Sequence, residues 1–282
     1  MSGTVFHPLV SRALVAVRGP DWRPFLQNLL SNDVESLAAG QARAALLLTP
    51  QGKLLFDLIV AADPDGEGAL IDVLAERRAA LVQRLRLYRL RAKVEIEPAP
   101  GAVWAARGAA PGPGWLADPR LEALGWRGYG VEPPAEAALE DEAAYRAHAL
   151  ALGVPDPALD CIADKTFPLE ADFDLLNAID FHKGCYVGQE TTSRVKRRSG
   201  VKTRMVPIAF DGPAPAYGTQ VSVGDLRAGE VLSGVEGRAM ALLRLERALS
   251  GDLTVDGRKV ALDIPAWWPE GTLPSPTEPG SD

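Results

Sequence analysis

Between Met205 and Ile264 the chain breaks into six short apolar runs, at 205–210, 220–223, 229–232, 240–245, 253–255 and 259–264. Turn residues separate each run from the next, and Asp256-Gly257 is a tight hairpin signal. Runs this short cannot form long helices. Their only economical burial is against one another, which predicts a small antiparallel β-barrel.

The first two thirds of the chain follow another rule. Residues 14–17 form an apolar strand that ends in the turn 18–21. Asp21 then suits the N-cap of a helix whose stripe is Phe25, Leu26, Leu29 and Leu30. Two apolar runs, 44–49 and 56–61, flank the hairpin-like segment 50–53, and 69–74 is a further strand. A helix over 76–90 turns Leu81, Leu85 and Tyr88 inward and its arginines outward, before strands at 94–96 and 103–106. Residues 98–119 are rich in Gly, Pro and Ala, and a helix over 136–152 stops at Gly153-Val154-Pro155. The expected class is α+β. The expected division is an α+β domain over 1–204, a barrel over 205–266, and a tail over 267–282. That tail carries Pro269, Pro274, Pro276 and Pro279 and is expected to be disordered.

Composition narrows the function classes. At 282 residues and 47% hydrophobic, the chain can bury real cores. A net charge of -7 argues against a dedicated nucleic-acid binder. No window approaches eighteen consecutive apolar residues, so no membrane span is expected, and residues 1–10 carry neither a secretory nor a transit pattern. With only Cys161 and Cys185, a reducing compartment is expected, and a bacterial-type cytoplasm is the simplest location. His7, His148 and His182 lack zinc-ligand spacing, and there is no phosphate loop or nucleophile elbow.

Chemistry concentrates in Lys183-Gly184-Cys185-Tyr186-Val187-Gly188-Gln189-Glu190. Lys183 lies two positions from Cys185 and His182 three, with a glycine close by on each side. A neighbouring ammonium favours a thiolate, the form that attacks or ligates metal, so Cys185 is the candidate reactive group and Lys183 its activator. The plainer alternative is a small buried hydrophobe. One thiolate cannot hold an iron–sulfur cluster alone, and Cys161 lies too far upstream to make a CxxC pair, so no resident cluster is expected. Contact with a cluster on a partner, or thiol chemistry, remains. Gly184 and Gly188 serve a positive φ, a close approach, or a plain turn. Gln189 and Glu190 open a helix, where Glu190 suits the dipole. Arg194, Lys196, Arg197, Arg198, Lys202 and Arg204 form a basic run, either a solvated face or an anion site, without interleaved aromatics.

The octapeptide resembles the signature of the YgfZ branch of the folate-binding, glycine-cleavage T-protein-like superfamily. Weaker blocks follow in the family's order: Phe25-Leu26-Gln27 with Asn32-Asp33, Gly52-Lys53, residues 87–94, Gly153-Val154-Pro155, residues 167–170, Arg194, and residues 229–233. The resemblance implies a folate-binding body of two intertwined ferredoxin-like units plus a C-terminal barrel. It implies assembly or maintenance of 4Fe-4S clusters, with iron–sulfur carrier proteins and 4Fe-4S enzymes as partners, including radical-SAM enzymes that modify tRNA. Tetrahydrofolate is the implied ligand, faced by Tyr186, Gln189, Glu190, Arg194 and Asp57.

Two rival readings stand beside it. T-proteins are aminomethyltransferases with a tandem Asp-Asp in the strand after the hairpin; here Phe56 replaces the first acid and Asp57 remains. The pterin-binding glutamate of their Glu-Ala-Gly segment is replaced by Ala151. Both departures count against that enzyme activity. The other rival is a scaffold for cluster carriers that uses no folate.

Overall fold

The computed structural model describes residues 3–198 and 201–274. It divides into two compact units, neither continuous in sequence. The first comprises 1–146, 163–166 and 176–193; the second comprises 147–162, 167–175 and 194–282. A single cut after residue 204 does not describe this, because 147–162, 167–175 and 194–204 belong with the barrel.

The first unit holds two five-stranded sheets whose strands are interleaved along the chain. After β1 (Val5–Pro8) the chain enters the other sheet with β2 (Arg12–Arg18), helix α1 (Trp22–Gln27), β3 (Ala42–Leu48), β4 (Leu54–Ala62) and β5 (Gly68–Leu74). Helix α2 (Arg78–Arg89) and β6 (Glu95–Ala99) complete that excursion. The chain then returns to the first sheet with β7 (Val103–Arg107), β8 (Trp115–Ala117), β9 (Trp126–Tyr129) and β10 (Ala138–Leu139). The orders are β10-β1-β7-β9-β8 and β3-β4-β5-β2-β6, antiparallel except for β1 with β10. Apolar residues of β2 to β6, α1 and α2 form one core, centred on Val15, Leu26, Leu47, Ile71 and Leu85.

Helix α1 is shorter than its apolar stripe. It ends at Gln27, and Leu30 instead bridges to Leu47. Asp21 stands at the N-cap position, but its carboxylate accepts from Lys93 N at 2.7 Å and makes no side-chain cap bond. The expected helix at 136–152 is likewise trimmed to α3 (Glu142–Ala151), since Ala138 and Leu139 pair with β1. α4 (Pro157–Asp160) was not expected from the sequence; Asp156 caps it by accepting from Ala158 N at 2.9 Å, with proline at its first position.

The second unit contains the barrel the turn pattern predicts. After α5 (Gln189–Arg198) come β11 (Thr203–Ala209), β12 (Gln220–Val223), β13 (Leu226–Val235) and β14 (Arg238–Arg244). α6 (Leu245–Ala248), β15 (Leu253–Val255) and β16 (Arg258–Leu262) follow. The strands close in the order β11-β14-β13-β12-β15-β16. Asp256 and Gly257, at φ 48° and 76°, make the tight turn that Asp-Gly encodes. One expectation is corrected here: Trp268 is buried in the barrel core, Trp267 Nε1 donates to Leu152 O at 2.6 Å, and Leu273 packs on the same core. Residues 267–274 therefore pack on the barrel, and residues 275–282 of the expected tail lie outside the described residues. Two large indoles outweigh the prolines that flank them.

Candidate functional site

Backbone satisfaction shapes the Cys185 loop. Ser31 exchanges backbone and side-chain bonds with Leu46 of β3, its hydroxyl donates to Ala178 O, and Asp180 N donates to Ser31 O. Asn32 Nδ2 donates to both Ala44 O and Asn177 O, at 2.7 and 2.6 Å. These bonds sew residues 177–180 to the segment after α1. Asp180 then accepts from His182 N and Lys183 N, turning the chain into the motif.

Lys183 is buried, and its ammonium donates to Gln27 O, Leu30 O and Asn32 O at 2.8, 2.7 and 2.7 Å. Carbonyls at a helix C-terminus are natural partners for a lysine. Burial is the largest influence on this ammonium and lowers its pKa to about 8, against the opposing pull of Asp33, Asp180 and Glu35. All three donor hydrogens are committed, so none is left for the thiolate. Lys183 therefore clasps the loop to the segment 27–32, and its influence on Cys185 is left to its charge rather than to a hydrogen bond. Tyr186 is the second anchor: its ring is buried with the ammonium 5.5 Å from the centroid, and burial raises its phenol to about 12. Its hydroxyl has no hydrogen-bond partner among the described residues. Between these anchors Gly184 and Cys185 are exposed.

The second half of the motif docks on the β3–β4 hairpin. Gly188 has φ +83°, and a Cβ there would lie 2.5 Å from Thr49 O and 3.1 Å from Gly52 Cα. Gly52, at φ +78°, is held as tightly, since its Cβ would meet Thr191 Cβ at 2.9 Å. The paired glycines let the helix start and the hairpin touch backbone to backbone. Gly184 has open space around it and no positive φ, so neither packing nor backbone geometry requires glycine there. Gln189 is half-buried and Glu190 exposed in the first turn of α5. Arg194 is exposed further along that helix.

Asp57 lies elsewhere in the first unit. Strand register puts Arg12, Asp57 and Asp72 on one sheet face, because Asp72 pairs with Leu14 and Ile59, each two residues from Arg12 or Asp57. Arg12 binds Asp57 at 2.6 Å and Asp72 at 2.5 Å. From the other sheet, Arg127 reaches Asp72 and Asp118 at 3.5 and 3.0 Å, and Arg120 binds Asp118 at 2.8 Å. The hydroxyls of Tyr129 and Tyr145 close the network on Asp72 and Asp118. Burial raises the Asp57 carboxyl in spite of Arg12, whereas Arg120 and Arg127 overcome burial at Asp118 and hold it low. Apart from Asp57, these residues are not singled out by the sequence; Asp118 and Arg120 pair locally, but only the fold brings them and Arg127 to Arg12, Asp57 and Asp72.

Two members of the basic run, Lys196 and Arg204, are already paired with carboxylates. Arg204 is buried, binding Asp172 and Asp174 at 2.6 and 3.0 Å, and Lys196 binds Asp174 at 2.7 Å. The Arg198 side chain lies outside the described residues. Cys161 is half-buried in the second unit, and the two cysteines form no disulfide. Among the described residues no His, Cys, Asp and Glu cluster could hold a metal ion, and no helix is long and apolar enough to cross a membrane.

Comparison with known proteins places this geometry in context. Residues 202–270 match the family described as CAF17, C-terminal beta-barrel domain. The mouse (Mus musculus) protein named iron-sulfur cluster assembly factor IBA57, mitochondrial, is 32% identical over 305 residues, spanning 93% of this chain and 84% of the relative. Its human (Homo sapiens) counterpart is 32% identical over 303 residues with the same coverage. A homologue in Pyricularia oryzae is 32% identical and covers 91% of this chain and 75% of its own. The crystal structure of the glycine cleavage system aminomethyltransferase T from Bartonella henselae superposes with a TM-score of 0.74 at 18% identity, covering 93% and 84% of the two chains. That likeness shows the fold. The names of the three relatives place them in mitochondria, which overturns the expectation of a bacterial-type cytoplasmic location. On the strength of its identity to these relatives along nearly its whole length, the chain belongs to the IBA57 family of iron–sulfur cluster assembly factors.

Proposed function

We propose that this protein acts in iron–sulfur cluster assembly by presenting the Cys185 thiol to a cluster held by a partner. The carrying observation is the motif's burial pattern: Lys183 and Tyr186 are sealed into the first unit while Cys185 between them is exposed. A rigid mount for a reachable sulfur suits a ligand shared with another protein, since one thiolate cannot hold a cluster by itself. The partners in this reading are iron–sulfur carrier proteins and 4Fe-4S client enzymes, including the radical-SAM enzymes suggested by the YgfZ-like motif.

Tetrahydrofolate belongs to the same proposal. A buried phenol with an unanswered hydroxyl, at Tyr186, favours a polar ligand beside it. Gln189 and Glu190 at the start of α5 would complete the contact. Asp57 is a poor recruit, because Arg12 already holds its carboxylate. The same ion pair weighs against aminomethyl transfer, which needs an available carboxylate near the folate nitrogens.

Cys185→Ala tests the proposal. The substitution is on an exposed side chain, so folding should be unchanged within about 0.5 kcal/mol. Activities of 4Fe-4S enzymes in cells should fall at normal protein levels; unchanged activities would remove the thiol from the mechanism. Calorimetric titration with tetrahydrofolate distinguishes a folate binder from a folate-free scaffold. Heat of binding that Tyr186→Phe weakens is the expected result, and a flat trace would defeat the folate part alone.

A further inference from the structure

The corner where α2 turns into β6 has features the cluster role does not use. Residues 76–93 carry Arg77, Arg78, Arg84, Arg86, Arg89, Arg91 and Lys93 against the single acid Glu76, in a chain of net charge -7. Solvation alone would explain the arginines. It does not explain Leu87 and Leu90, which stand 72% and 88% exposed among them.

Leu90 is also strained. Its φ of +44° is one that a γ-branched side chain adopts at a cost. A glycine would relieve that cost, yet the position holds a leucine with its side chain almost wholly in water. The corner is firmly built around it. Gly19, at φ +117°, lets Lys93 O approach to where a Cβ would be only 2.4 Å away, and Asp21 holds Lys93 N. Beside Leu90 lies a hollow of about 550 Å³ whose walls include Arg18, Arg89, Arg91 and Lys93, against the one carboxylate Glu95. Arg18 shares its charge with Asp63 at 3.3 Å.

We propose that this corner is a docking knob for an acidic protein surface, with Leu90 and Leu87 entering an apolar socket and the partner's carboxylates meeting the arginines. A preformed apolar knob inside a cationic ring suits a protein partner: the leucines supply burial and the ring supplies orientation. Single-stranded nucleic acid fits less well, because the hollow offers no aromatic side chain for stacking. A membrane fits less well too, since Leu81, Val82 and Leu85, the apolar stripe of α2, are spent on the core.

The test uses the full chain and its Leu90→Gly and Arg89→Glu/Arg91→Glu variants. The probe is a fluorescent helix-forming peptide of glutamate and alanine with two leucines three positions apart. Polyuridine RNA, phosphatidylserine vesicles and a leucine-free peptide are compared with it. The leucine peptide should bind the native chain, and Leu90→Gly should weaken it by about tenfold or more. Leu90→Gly should also melt higher, because it relieves the backbone, so weaker binding cannot be ascribed to misfolding. The charge-reversed pair should lose binding while keeping its melting temperature within a few degrees. The proposal is overturned if the leucine peptide fails to bind, or binds Leu90→Gly equally well. Tighter binding of RNA, vesicles or the leucine-free peptide would also overturn it, as would self-association of the chain that Leu90→Gly abolishes.

Discussion

Two positions apart in sequence, Lys183 and Cys185 have opposite environments. The lysine satisfies three carbonyls, one at the end of α1 and two in the segment after it, and the cysteine faces solvent. Replacing Lys183 with methionine keeps most of its bulk but strands those acceptors. It should destabilise the first unit by about 2–4 kcal/mol, read from denaturant midpoints. Arginine should not rescue it, because a planar guanidinium cannot copy three ammonium bonds. The pH dependence has a definite sign. The folded-state pKa lies below the ordinary value, about 8 against 10.5. Between those values the unfolded chain keeps a proton that the folded chain has released, so this site adds stability as pH rises. The gap between wild type and Lys183→Met should widen from pH 8 to 10.5, and a constant gap would contradict the assignment.

At the scale of elements, the joint between α5 and the β3–β4 hairpin decides how the thiol is mounted. Gly188→Ala forces a Cβ onto Thr49 O in a left-handed conformation and should cost about 2–4 kcal/mol. Gly184→Ala, with open space, should stay within about 0.5 kcal/mol. Equal losses in thermal melts would refute the docking argument. This contrast was only half legible in the sequence, where both glycines looked alike. Periodicity disclosed β2, β3, β4, β5, α2 and the barrel strands, because each buries one regular face. Short strands such as β8 and β10 gave no such signal, and the end of α1 depended on a bridge from Leu30 to Leu47 that local pattern cannot reveal. The cysteine loop was legible as a motif, but the partners of Lys183 were not, since they lie about 150 residues upstream.

At the scale of the molecule, each unit has its own core and its own buried ions. Register explains Arg12, Asp57 and Asp72 in the first, but the crossing to Asp118 and Arg127 follows only from two sheets sharing one unit. In the second unit Trp267, Trp268 and Leu273 pack with the barrel. Trp268→Ala should cost about 3–5 kcal/mol in barrel stability, seen as an earlier transition in calorimetry. No change would return that segment to a loose tail. The central claim of the proposed function is a cluster contact through the sulfur of Cys185, and its most direct examination is visible circular dichroism of a cluster-loaded carrier protein, mixed anaerobically with this chain. The native protein should alter the cluster's spectrum at equimolar ratio and Cys185→Ser should not; an identical spectral change with both would contradict a cluster contact through that thiol.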